Sequence, residues 1–218
     1  MRSITFYDID NDLTGKNSYT DFNCLTLKYD VSEPRIKERT VDVSGRDGSL
    51  DLSEAVSSFP VYYNRELRFD FRIVGNDCQQ YRKLLVKSLH GKRKLIAIED
   101  QEHFFRGRCI VQTILDKGYY IELNVIVTAE PYKVDRNPIQ KTATISGSGI
   151  VNVTNNGDSR PSPIIATSGN ITINYDNETH TLSAGTHLAP FTLLNGMSDI
   201  NITGNANVEF TYWEGYLV

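Results

Sequence analysis

Cysteine is scarce, and the three present, Cys24, Cys78 and Cys109, are odd in number and far apart. Such spacing supplies neither the close pairs of a zinc or redox motif nor an even set for a disulfide framework, so all three read as buried, reduced thiols. Histidine is limited to His90, His103, His180 and His187, with no paired-His zinc motif among them. No apolar run approaches the length of a transmembrane helix. The opening residues, Met1 to Asp8, reach an acid too early for a signal-peptide hydrophobic region. The expectation is a soluble chain made in a cytoplasm, with no membrane insertion. Excess positive charge is missing too: 23 Lys and Arg stand against 27 Asp and Glu, for a net charge of -4. That balance, spread along the chain, excludes a dedicated nucleic-acid binder.

Reaction signatures are also absent. Ser146-Gly147-Ser148-Gly149 lacks the spacing of a nucleophile elbow, and there is no phosphate loop or dinucleotide fingerprint. Asp8, Asp10 and Asp12 suggest a calcium loop, but that template needs Gly and Glu where this chain has Leu13 and Tyr19. Glu99, Asp100, Glu102 and His103 read as a wet, acid-rich turn. No enzyme is expected: catalytic residues none, cofactor none, metal none.

What the chain does contain is β pattern in quantity. Of its 218 residues 39% are hydrophobic and 23% charged, enough for one large or two ordinary domains. Leu67, Phe69, Phe71 and Ile73 alternate with Arg68, Asp70 and Arg72, the period of a strand with one buried face. It closes a polar excursion that starts at Val41, in which Gly45 and Gly48 flank Arg46-Asp47 and suit a tight reversal. Ile4 and Phe6 alternate in the same way, as do Leu25, Leu27, Tyr29 and Val31.

After Ile73 the period changes. Cys78, Tyr81, Leu85 and Leu89 form one apolar stripe, which predicts a helix near 77–90. Asn76 or Asp77 can cap it, with Gln79 three residues after Asn76 as a capping box prefers; Gly91 suggests a stop, and Lys92-Arg93-Lys94 a solvated helix end. Leu95 to Ile98 and Phe104 to Leu115 read as a hairpin with a long second arm. Asp116-Lys117-Gly118 turns the chain into a further strand carrying Ile121, Leu123, Val125 and Val127.

Composition shifts near Pro131 to Pro138. Residues 1–134 hold 20 basic and 20 acidic side chains, whereas 135–218 hold 3 and 7. Two domains follow, 1–134 and 135–218. Short strands are expected in the second at Ile150 to Val153, Ile171 to Tyr175, Thr179 to Leu182, Ile200 to Thr203 and Val208 to Trp213, with Asn156-Gly157 and Asp176-Asn177 as turns. Strand parity turns Val208, Phe210 and Tyr212 inward and Trp213 outward.

The order of these features resembles the distal tail protein family of long-tailed, non-contractile bacteriophages. The resemblance rests on Val43-Ser44-Gly45-Arg46-Asp47-Gly48-Ser49-Leu50-Asp51-Leu52, then Tyr63 to Phe69, one helix ending at Gly91-Lys92, a hairpin, and Ala129-Glu130-Pro131-Tyr132-Lys133. In the second half it rests on Asn155 to Ile164, Gly169 to Ile173, and Val208 to Trp213. It implies a mainly β protein: an N-terminal β-sandwich with one α-helix and an extended hairpin, then a small galectin-like β-sandwich. It also implies a homo-oligomer, a hexameric ring in the virion at the phage tail tip or baseplate. The implied partners are the tail tube protein, tail-tip or tail-associated proteins, and receptor-binding protein. A closing ring needs two different complementary patches on each subunit. Arg46, Asp47, Leu50, Leu52, Phe59 and Arg65 mix charge with apolar anchors and are the candidate subunit interface. A second function class is a carbohydrate-binding module recognising host cell-surface glycans through the C-terminal domain. Trp213, the sole tryptophan, and Tyr216 are its candidate glycan or partner contacts.

Overall fold

The computed structural model describes residues 3–9, 15–99 and 102–217. Most of the suspected calcium loop, and Asp100 of the acidic turn, lie outside the described residues. Two compact units form, Met1–Pro131 and Tyr132–Val218. The division falls after Pro131, inside a strand, where the composition shift suggested 134/135.

The first unit runs β1 (Ile4–Asp8), β2 (Gly15–Asn17), β3 (Cys24–Val31), β4 (Thr40–Asp42), β5 (Ser49–Asp51), β6 (Arg65–Val74), α1 (Cys78–Leu89), β7 (Arg93–Ile98), β8 (His103–Asp116) and β9 (Tyr120–Asp135), whose last residues enter the second unit. Its main sheet has the order β2-β1-β7-β8-β9-β6-β3. On β6 the alternation works as expected: Leu67, Phe69, Phe71 and Ile73 are fully buried, each worth about 1.5–3 kcal/mol of transfer free energy. They lie opposite Val127, Val125, Leu123 and Ile121 of β9, also buried. The outward Arg72 meets Glu122 across the same pair at 2.5 Å. β1 and β6 are far apart in strand order, yet the rings of Phe6 and Phe69 pack edge to face at 6.1 Å. The sheet thus coils over itself, and the sandwich is made from one sheet with α1 against it.

Four local expectations need correction. In β3 the register shifts between Thr26 and Lys28, a bulge that flips strand parity, so Leu27 is 51% exposed instead of facing the core. In β1, Thr5 and Tyr7 are buried as well as Ile4 and Phe6, because Tyr7 packs on Phe104 at 5.1 Å. The capping box does not form: Asp77 is the N-cap and makes no side-chain cap, while Gln79 Nε2 donates to Asp116 Oδ2 at 2.6 Å. Lys94 is not a solvated helix end but a buried β7 residue paired with Asp8. Gly91 does end the helix region, at φ 76°.

The second unit adds β10 (Ile139–Asn155), β11 (Ile164–Thr167), β12 (Ile171–Tyr175), β13 (Glu178–Leu182), β14 (Gly185–Leu188), β15 (Gly196–Tyr212) and β16 (Gly215–Tyr216). β10 and β15 pair along their whole length, from Ile139↔Tyr212 to Asn155↔Gly196. The two separate strands expected at Ile200 to Thr203 and Val208 to Trp213 are therefore one. Gly204, a residue type that weakens strands, lies between those two segments. Here it faces Gly147 across the ladder, both at positive φ, and the pair lets the strands bend without parting. Along its other edge β15 pairs first with β12 and then with β11, so each end feeds its own half-sheet. Ile173 and Ile202 from one half share a core with Ile165 and Phe210 from the other.

Candidate interaction surfaces

Between β3 and β6 the chain leaves the sheet as a two-stranded ribbon, residues 33–64. Its stem is held by the Ile36↔Tyr62 bridge and by Lys37 N donating to Val61 O at 2.7 Å. Above the stem β4 and β5 pair, with Val41 opposite Leu50. Gly45 and Gly48 turn the tip at φ 83° and 74°. Side chains support it locally: Ser49 Oγ donates to Asp42 at 2.6 Å, and Ser53 donates to Asp51 from both Oγ and N. The two Ser53 bonds, side chain first, hold the Asp51 carboxyl below its usual range.

This ribbon contains no buried residue at all. From Leu25 to Asn64 no side chain reaches core burial, and Val56 is 91% exposed. An isolated two-stranded hairpin is marginal in water. Of the residues singled out from the sequence, Arg46 and Asp47 are exposed at the tip, and Leu50, Leu52 and Phe59 are half-buried. Arg65 differs: it is 4% exposed, stacked over the Phe105 ring at 5.4 Å, and lies outside the ribbon at the start of β6. Burial lowers its pKa.

In the second unit Trp213 and Tyr216 flank the buried carboxylate of Glu214. Asn156 N donates to Glu214 at 2.7 Å and Tyr216 Oη at 2.8 Å. Burial, then this carboxylate, raises the Tyr216 pKa. The tyrosine hydroxyl thus fastens the chain end, where β16 pairs with Lys133 and Val134. Trp213 is half-buried just beyond β15. A groove of about 490 Å³ elsewhere on this unit is walled by Thr142, Thr144, Thr167, Thr186, Asn207 and Glu209, and neither Trp213 nor Tyr216 lines it.

One surface escaped sequence reasoning. Arg93 of β7 lies directly opposite Arg108 of β8, and Arg106 projects two residues further along. These three line a groove of about 600 Å³ with Asn64, Thr128 and Glu130. Glu130 meets Arg93 at 2.8 Å and Arg106 at 3.8 Å. The signal available was the Arg-x-Arg alternation on β8, which becomes informative only when the β7 register is known.

The three cysteines are free and buried; desolvation pushes Cys24 and Cys109 up to about 12. Among the described residues no His, Cys, Asp and Glu group could hold a metal ion. Among the same residues no helix is long and apolar enough to cross a membrane.

These features define a mainly β protein of two units, with one helix among the described residues and an exposed ribbon. No family model matches the chain, and no curated protein does either. Among solved structures, the crystal structure of the SPP1 Dit (gp 19.1) protein, described as a paradigm of the hub adsorption apparatus in phages infecting Gram-positive hosts, is similar to it. The two share 14% sequence identity with a TM-score of 0.67, over 98% of this chain and 99% of the other. The chain therefore has a Dit-like fold, in agreement with the family resemblance of its element order.

Proposed function

We propose that this chain is a structural hub of a phage tail tip, without turnover, that assembles as a ring. The observation that carries the reading is the likeness to a Dit hub protein across both units at nearly full coverage. The ribbon supports it independently: a long, self-paired arm lacking any buried side chain has the character of a contact element. In this reading the first unit builds a closed, hexameric ring between the tail tube and tail-tip proteins in the virion. The galectin-like second unit faces receptor-binding components. Arg46, Asp47, Leu50, Leu52 and Phe59 reach a neighbouring subunit. Arg65 serves by anchoring the ribbon's return to β6.

Sedimentation of the full chain tests this. The expected result is a closed multimer of six chains that falls to monomer when residues 46–62 are removed. An intact multimer after that deletion overturns the ribbon's role, and a chain monomeric at every concentration overturns self-assembly.

A further inference from the structure

We propose that the arginine groove of β7, β8 and β9 is the receiving site for the acidic ribbon tip of a second copy of this chain. This rests on the reading of the ribbon as a subunit contact, and adds the surface it meets. The groove has an excess of positive charge: three guanidiniums, from Arg93, Arg106 and Arg108, face one carboxylate, Glu130. Glu130 pairs with Arg93 through one oxygen and with Arg106 through the other. Arg108 Nη1 is spent on the Gly91 carbonyl at 2.5 Å, leaving its other donors to the groove. Arg106 Nε is buried and, among the described residues, has no acceptor. That atom is closed to a docking partner, but the Arg106 side chain as a whole is 37% exposed, and a carboxylate is the best partner for its outer guanidinium donors.

The ribbon supplies the complement. Residues 40–60 carry Asp42, Asp47, Asp51 and Glu54 against a single base, Arg46, and all five are exposed. The donor and the receiver are different patches of the same unit. Asn64, where the ribbon ends, lines the groove, yet the ribbon's own tip stays exposed and leaves the groove open. The tip is therefore free for a neighbour, and such a head-to-tail contact closes into a ring when its rotation permits.

Charge exchange between two full-length variants tests the assignment. Arg106→Glu with Arg108→Glu reverses the groove, and Asp47→Arg with Glu54→Arg reverses the tip. Each variant alone should raise the dissociation constant of the multimer by at least roughly tenfold in sedimentation velocity. Mixed in equal amounts they should regain it, since each tip then meets an opposite groove in an alternating ring. The wild-type association should weaken with added salt. Recovery in the mixture also shows that both variants are folded; should the groove variant not fold, the tip variant alone decides, because its residues are solvent-exposed. If deletion of residues 46–62 dissociates the multimer while the charge reversals do not, the groove assignment fails and the ribbon reading stands. If neither deletion nor reversal has an effect, or the wild type is monomeric throughout, both fail.

Discussion

The ribbon and the strand that follows it occupy adjacent stretches of chain and could hardly be built more differently. β6 turns four large apolar side chains into a core and lets its charges pair on the outside. The ribbon has apolar residues too, yet it buries none of them fully and leaves Ile36, Val41, Val43 and Val56 exposed. Its order comes from backbone pairs and short Ser-to-Asp bonds at the surface, where water competes for the same groups. The difference separates residues that hold the unit together from residues available to something else.

That contrast can be broken from either side. The largest effect is expected at Phe69→Ala, which should cost about 3–5 kcal/mol in urea unfolding because a fully buried ring is lost; a loss under 1 kcal/mol would mean β6 is not the anchor. Gly107→Ala comes next. Its new Cβ would lie 2.5 Å from Val127 Cγ1 and 2.8 Å from the Ala129 backbone, so overpacking of about 1–3 kcal/mol should appear as a lower denaturant midpoint.

Acid sensitivity should be smaller. The Lys94 hydrogen bond and charge hold the Asp8 carboxyl below its ordinary 3.8 in the folded state. The pair therefore contributes in full above about pH 4, and its contribution is lost as pH falls through the lowered folded value. Asp8 is half-exposed, which limits this term to under ~1 kcal/mol. Asp8→Asn should flatten that part of the stability profile, and an unchanged profile would remove Asp8 from the account. Smallest of all, Val56→Ala should shift unfolding by no more than about 0.5 kcal/mol; a shift above 1 kcal/mol would show the ribbon to be part of the core after all.

The same division explains what could be read from sequence. β6, β9 and α1 were legible because their apolar residues recur at the period of the element that buries them. The ribbon was legible through Gly45 and Gly48, whose positive φ the turn requires. Leu27 misled because a bulge adds a residue without leaving a pattern behind, and Gln79 because Asp116, nearly forty residues away, competes for its amide. β15 was expected as two strands, and it is one because its ladder with β10 continues through Gly204, which pairs with Gly147. The arginine groove was invisible for a related reason: Arg93, Arg106, Arg108 and Glu130 come from three strands, and register alone assembles them.

The long ladder of the second unit also governs time. Its innermost pair, Asn155 with Gly196, is separated by four strands' worth of chain, whereas β8 and β9 close around the few residues from Asp116 to Tyr120. Loop closure must precede the contacts that reward it, so distant pairing is slow even where the product is firm. Local hairpins of the first unit can form while β10 is still searching for β15. The second unit then sets the tempo of the newly made chain, and Trp213, the only tryptophan and next to the last rung, is placed to report when the search ends.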